Sequence, residues 1–319
     1  MPAMIDFDPA LRPRGDLEVA WIHGSRSSKT TDPPLQTHAF DPQTFILRQS
    51  MSVHREAPFM YLLLGNERAC LLDTGATPDP TRLPLRATVD ALIDSWLLAN
   101  PRDGYELVVA HTHAHWDHLA ADVQFAGRAD TVVVGSDLGS VRSFFGFDRW
   151  PRDSVTLDLG GRVLKVTGCP GHHDTSIAVY DPWSGFLLTG DTVYPGRLYV
   201  SDIDAFVDSL DRLVTFADTR AVTHLMGGHI EMTNRPGHDY PMGANYQPDE
   251  VALPMPRAQL AKVAEAAHDV AAQPGAHAFD DFVIFNGPCR TAVVRHLGRT
   301  LLNRAGNAVN ARREGRTPR

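Results

Sequence analysis

Between Thr44 and Leu72 apolar and β-branched residues gather into three short runs, Thr44 to Gln49, Phe59 to Leu64 and Ala69 to Leu72, with the turn dipeptide Gly65-Asn66 between the last two. Runs of that length bounded by turn residues predict antiparallel strands in a meander. From Leu83 to Leu98 the period changes. Leu85, Val89, Leu92, Ile93, Trp96 and Leu97 recur at three and four, which predicts a helix with one buried face, stopped by Asn100-Pro101. Glu106 to Ala110 is almost continuous in Leu and Val and reads as a strand covered on both faces. A helix over Leu119 to Phe125, a strand over Thr131 to Val134 and a helix over Ser136 to Phe145 follow, with Phe144, Phe145, Phe147 and Trp150 as an aromatic group of core type.

The pattern then repeats. Val155 to Leu159, Val163 to Thr167, Ile177 to Asp181 and Phe186 to Thr189 are strand runs, turned at Gly160-Gly161 and at Trp183-Ser184-Gly185. A helix over Ile203 to Phe216, a strand over Ala221 to Met226, an Ala-rich helix over Gln259 to Ala271 and an apolar run from Phe282 to Phe285 close the series. Two strand series, each followed by helices, predict an α/β fold: a four-layer αββα sandwich of two mixed β-sheets with outer helices.

Composition narrows the function. A chain of 319 residues with 43% hydrophobic content can bury a large core, and a formal charge of −8 gives no general attraction for nucleic acid or an anionic membrane. No apolar stretch approaches the roughly 20 residues that cross a bilayer. The first residues carry acids and prolines where a secretory signal has basic and then apolar residues, and Cys70, Cys169 and Cys289 are scattered. The expectation is a cytoplasmic protein acting on a small-molecule substrate.

The chemistry concentrates in His111-Thr112-His113-Ala114-His115-Trp116-Asp117-His118, directly after the buried run Leu107 to Ala110. His113, His115, Asp117 and His118 put three imidazoles and a carboxylate within six residues. A turn at the end of a strand lets all four enter one cavity, and neutral imidazole with carboxylate is a ligand set for zinc. Cysteine spacing offers no thiolate site, so further ligands are sought among His and Asp at strand ends. Three stand there after an apolar run and a Gly: His172 in Pro170-Gly171-His172, Asp191 in Gly190-Asp191 and His229 in Gly228-His229. His111 and His173 adjoin these motifs out of register and read as supporting or pocket residues, and His224, inside a strand, as a core histidine.

The ordered motifs His-x-His-x-Asp-His, Pro-Gly-His with a following Ser, Gly-Asp and Gly-His resemble those of the metallo-β-lactamase superfamily of dinuclear metal hydrolases, over about Phe45 to Phe285. The turn Asp73-Thr74-Gly75 is similar to the family's early Asp-x-Gly. The resemblance implies two zinc ions, one held by His113, His115 and His172, the other by Asp117, His118 and His229, with Asp191 bridging. It gives Asp73 a supporting role by hydrogen bonding; the other reading is a plain Asx-turn. It implies attack by a metal-bridging hydroxide on a small ester, thioester or lactone, as in the glyoxalase II and lactonase branches. Asp117 would also orient the hydroxide, and Tyr194, three residues after Asp191 as in the lactonases, would donate to the substrate oxygen. The alternatives are a mononuclear-iron persulfide dioxygenase, or hydrolysis of a phosphoester or β-lactam. Residues 1–36 are then an N-terminal arm with one strand over Leu17 to Ile22, 37–289 the metallo-β-lactamase-like catalytic domain, and 290–319 a basic, solvated tail.

Overall fold

The computed structural model describes residues 4–12, 14–26 and 30–287. The basic tail expected from 290 onward lies outside the described residues. The first sheet takes β1 (Leu35–Asp41), β2 (Thr44–Gln49), β3 (Phe59–Leu64), β4 (Arg68–Leu72), β5 (Glu106–Ala110) and β6 (Thr131–Val133) in chain order. β1 to β4 pair antiparallel, whereas β4, β5 and β6 pair parallel because α1 (Leu85–Ala99) and α2 (Trp116–Leu119) carry the chain back between them.

After α3 (Leu138–Phe145) come β7 (Ser154–Asp158), β8 (Val163–Gly168), β9 (Ile177–Asp181), β10 (Phe186–Gly190) and, beyond the short β11 (Arg197–Tyr199) and α4 (Ile203–Asp218), β12 (His224–Gly227) and β13 (Pro254–Pro256). The second sheet has the order β13-β12-β10-β9-β8-β7, antiparallel except where β10 and β12 run parallel. α5 (Ala258–Val270), β14 (Ala276–Ala278) and β15 (Val283–Phe285) complete the chain described, β11 and β14 flanking β15 in a small third sheet.

Alternation along the strands assigns the layers. On β3, Phe59, Tyr61 and Leu63 face the second sheet and meet Leu164, Val166, Ile177, Val179 and Leu188 in one buried cluster. Met60, Leu62 and Leu64 point the other way and pack under Leu85, Val89, Ile93 and Trp96 of α1. On the outer face of the second sheet Ala178, Tyr180, Leu187 and Leu225 lie beneath α4 and α5. This is the expected sandwich, with helices outside two mixed sheets.

Two local expectations differ. Leu17 to Ile22 runs extended without joining a ladder, because the side chain of Gln36 on β1 takes the hydrogen bonds a partner strand would: its Oε1 accepts from Ile22 N at 2.6 Å and its Nε2 donates to Ala20 O at 3.0 Å. The helix expected over Leu119 to Phe125 starts earlier, as one α-turn from Trp116, and tightens into 3-10 geometry over Ala120–Gln124. The aromatic group after α3 is core in part: Phe145 and Phe147 are buried, and Phe144 and Trp150 pack against the same cluster.

At one end the two sheets are joined by a buried charge. The Arg162 guanidinium, fully enclosed, donates to both oxygens of Asp181 (3.2 and 2.5 Å) in the second sheet, and to Gln43 O (2.7 Å), Leu64 O (3.0 Å) and Thr44 Oγ1 (2.8 Å) in the first. Burial alone would raise the Asp181 pKa; Arg162 outweighs it and holds the carboxyl below its usual range.

Removing one partner leaves an uncompensated buried charge. Arg162→Met is expected to cost roughly 3–5 kcal/mol in urea unfolding, and Arg162→Met with Asp181→Leu to recover most of that. Since the folded Asp181 pKa is depressed, its stabilisation is present above the ordinary carboxylate pKa of about 4 and is lost as pH falls below it. The double variant should therefore lose less stability on acidification than the native protein.

Candidate metal centre

The opposite end of the sandwich carries the site. The C-terminal ends of the parallel neighbours β4 and β5, and of β10 and β12, lie side by side, paired Leu72 with Ala110 and Gly190 with Gly227. Here the sheets bond to each other through backbone: Phe59 N to Gly228 O and Ile177 N to Thr112 O, both 2.8 Å. Such an approach excludes side chains. A Cβ on Gly190, which also holds φ +49°, would fall 2.5 Å from Thr112 Cβ, and one on Gly228 would fall 2.6 Å from Asp191 Oδ1. The Gly-Asp and Gly-His dipeptides therefore place Asp191 and His229 where backbone has made room.

Two groups of donors result. His113 Nε2 lies 3.0 Å from His115 Nδ1 and 3.2 Å from His172 Nε2, and the latter two are 2.9 Å apart. One proton can serve only one of those three pairs. Burial, reinforced by the neighbouring imidazoles, pushes His113 well below the ordinary histidine pKa and His115 down to about 4, and burial also lowers His172. Three neutral rings thus direct lone pairs at one point.

In the second group His118 Nε2 and His229 Nε2 are 3.2 Å apart, with Asp117 Oδ2 3.8 and 3.6 Å from them. Asp191 stands between the groups. Its Oδ2 faces His113 (3.9 Å) and His172 (3.7 Å), and its Oδ1 faces His118 and His229, each at 3.5 Å. Burial would lower His118 and His229, but Asp191, with Asp73 for the first and Asp117 for the second, outweighs it and raises both. For Asp191 burial opposes ionisation and the same histidines outweigh it, holding the carboxyl well below its usual pKa.

Asp191 Oδ1 is buried and accepts no hydrogen bond. Buried carboxylate oxygens are rarely left so, and a cation beside His118 and His229 would satisfy both this atom and the facing nitrogens. Nitrogen and oxygen ligands about 2.0–2.1 Å from a tetrahedral zinc stand about 3.3–3.4 Å apart, close to the separations within each group. The donor set fits two such ions.

The rings are held from behind. Asp73, at φ +69°, accepts from Thr112 N (2.7 Å) and Thr112 Oγ1 (2.9 Å), and its Oδ2 lies 3.0 Å from His118 Nδ1. His172 Nδ1 donates to Tyr199 O (2.6 Å) and His229 Nδ1 to Glu56 O (2.9 Å). These contacts leave the opposite nitrogen of each ring facing the centre. His111 Nε2 meets Asp122 Oδ1 at 2.9 Å, an atom that also accepts from Thr74 Oγ1, so it braces the turn rather than joining the donors. His173 sits at the rim, its ring 5.0 Å from His115, and His224 is half-buried against the edge of Phe186.

Tyr194 departs from the expectation. Its hydroxyl is buried, donates to Arg197 O and lies 3.1 Å from Glu231 Oε2. Its one proton is committed inside the protein, and burial and then Glu231 raise its pKa well above the ordinary phenol value. The hydroxyl expected to meet a substrate oxygen is thus bonded to Arg197 O instead.

Sequence reasoning missed Glu56 and Tyr199, which orient the rings through main-chain carbonyls, and the buried Arg197, whose Nη1 donates to Tyr240 O (2.6 Å) and lies 3.1 Å from Asp239. Arg55, Glu56, Arg197, Tyr199, Glu231 and Met242 line a cavity of about 300 Å³, and two of them, Glu56 and Tyr199, are the residues whose carbonyls hold His229 and His172.

Residues 55–229 match the metallo-beta-lactamase superfamily. The chain belongs to that superfamily and is an enzyme of its metal-dependent hydrolase class. It is 28% identical over 259 residues to a hydroxyacylglutathione hydrolase of Anaeromyxobacter dehalogenans, covering 74% of this chain and 85% of that enzyme. It is 27% identical over 209 residues to the human acyl-coenzyme A thioesterase MBLAC2, covering 54% of this chain and 72% of the relative. The solved metallo-beta-lactamase FIM-1 of Pseudomonas aeruginosa superposes with a TM-score of 0.50 over 77% of this chain and 99% of its own at 13% identity, a likeness of fold alone.

Asp73→Asn keeps the shape and tolerates the left-handed backbone but removes the charge behind His118. It should weaken metal affinity about 10- to 100-fold in competition with a chelator. Tyr194→Phe, by contrast, should change kcat less than about twofold while lowering stability by about 1–3 kcal/mol, because Arg197 O loses its donor. A larger loss of kcat with unchanged stability would restore the hydroxyl to the reaction.

Proposed function

We propose that this protein hydrolyses thioesters at a dinuclear zinc centre held by His113, His115, His172 and Asp191 on one side and Asp117, His118, His229 and Asp191 on the other. The observation that carries the reading is Asp191, whose two carboxylate oxygens face different histidine groups while one of them lacks any other partner. Bound divalent cations would supply Lewis acidity toward a carbonyl and lower the pKa of water.

The remaining work falls to the chain. The neutral rings of His113, His115 and His172 and the carboxylates of Asp117 and Asp191 fix the donor positions before substrate arrives, so little reorganisation is needed. Asp117 Oδ2, partly exposed between His118 and His229, accepts a hydrogen bond from the attacking water and orients it. Water adds its oxygen to the acyl carbon, the C–S bond breaks, and the products are a carboxylic acid and a thiol.

The thioester class is supported by the two enzyme relatives, one named for a glutathione thioester and the other for acyl-coenzyme A. A lactone substrate is less well supported, because the hydroxyl expected to polarise its carbonyl is bonded to Arg197 O.

Zinc-loaded protein should cleave glutathione or coenzyme A thioesters with kcat/KM on the order of 10⁴ M⁻¹s⁻¹ or more, and a lactone and a chromogenic β-lactam at least about 100-fold less efficiently. Preference for the lactone or β-lactam, or oxygen uptake with a persulfide by iron-loaded protein, would overturn the assignment. Asp117→Asn should lower kcat by orders of magnitude with KM little changed, since its hydrogen bond to water acts mainly in the transition state. A change confined to KM would make Asp117 a pocket residue.

A further inference from the structure

Trp116 stands between two proposed ligands, His115 and Asp117, yet is 51% exposed. Seven residues on, near the far end of the helical segment that starts at Trp116, Val123 is 64% exposed. Both are large apolar groups on the one segment that leaves the proposed ligands, and the second of them belongs to an apolar groove.

That groove, of about 320 Å³, is lined by Pro78, Pro80, Pro84, Ala87 and Val123 together with Arg86 and Gln124. Its polar neighbours are already engaged. Gln124 Nε2 donates to Leu83 O (2.9 Å) and Pro78 O (3.2 Å), and Gln124 Oε1 accepts from Arg86 N (3.2 Å). The Arg86 guanidinium donates to Gln124 O (3.2 Å) and lies 3.5 Å from Asp90. Three prolines contribute no N–H. The groove therefore offers apolar surface and few free donors.

The loop that forms the groove and the turn beside the site are tied together. His54 stands edge-on to Trp116, ring centroids 4.8 Å apart, and fixes that ring. Arg82, in the proline-rich loop, donates to Val53 O at 2.6 Å, joining the loop to the turn that carries His54.

On the thioester reading above, we propose that the acyl chain of the substrate leaves the histidine groups over Trp116 and lies along residues 116–124 in the Pro78–Pro84/Val123 groove. The protein then prefers medium- and long-chain acyl thioesters over acetyl. Each methylene moved from water onto such a surface favours binding by up to about fourfold, and by about twofold where it stays half in solvent.

The test compares zinc-loaded full-length protein on acetyl-, octanoyl- and dodecanoyl-coenzyme A, together with calorimetric binding of the non-hydrolysable thioethers S-ethyl- and S-dodecyl-coenzyme A. In the native protein kcat/KM should rise at least tenfold from acetyl to dodecanoyl, and the dodecyl thioether should bind at least tenfold tighter than the ethyl. Val123→Asp and Ala87→Glu should each lower both ratios at least fivefold. Leu98→Asp, at an exposed position on α1, should leave them unchanged.

Thioester cleavage without chain-length preference, or ratios unmoved by Val123→Asp and Ala87→Glu, would overturn the groove while leaving the thioesterase reading intact. Chain-dependent thioether binding that these variants abolish, in a protein that cleaves no thioester, would support the groove and remove the function.

Discussion

Asp191 is buried to 8% exposure with five imidazoles and a second carboxylate around it, and one of its oxygens has no hydrogen-bond partner. Much of the surrounding structure follows from holding that arrangement. Ring nitrogens of His113, His115 and His172 converge within 3.2 Å of one another, a grouping that a proton satisfies in one pair only and that a cation would satisfy in all three. The rings stay in place because other atoms grip their far nitrogens: Asp73 behind His118, the Tyr199 carbonyl behind His172, the Glu56 carbonyl behind His229. A cation bound among these donors would offset the cost of keeping them together, which would couple its binding to folding.

The rest of the fold supplies what that end lacks. Where the sheets meet at the donors, their contact is backbone against backbone, and Gly190 and Gly228 leave no side chain to pack. Packing is concentrated below, in the alternating apolar rows of β3, β8 and β9, and the far end is closed by Arg162, each of whose hydrogen-bonding nitrogens has a partner. A sandwich pinned at one end and packed in the middle presents a preorganised cleft at the other. Donors that need not move when substrate arrives are the condition for electrostatic catalysis.

The architecture was legible because two series of short apolar runs bounded by turn residues are each followed by helices of period 3.6, and the structure shows the sandwich those runs imply. The donor residues were legible because their motifs end apolar runs; which of them share a centre came from the family likeness, and the structure brings all seven into the two groups. The supporting atoms were not, since Glu56 and Tyr199 act through carbonyls that every residue possesses. Tyr194 shows the limit of offset reasoning. Its spacing from Asp191 marks where the ring is, next to His229, but not where the hydroxyl points, which is decided by Arg197 and Glu231. Leu17 to Ile22 was read as a strand from its extended, apolar character; pairing depended on a glutamine side chain outside the run.

The central claim is that one carboxylate joins two cation sites. A crystal structure of the zinc-loaded protein, with diffraction recorded on both sides of the zinc absorption edge, measures it directly. Two anomalous peaks about 3.5–4 Å apart, with Asp191 Oδ1 bonded to one and Oδ2 to the other, are the predicted result. A single peak, or two with Asp191 bonded to only one of them, would contradict the account.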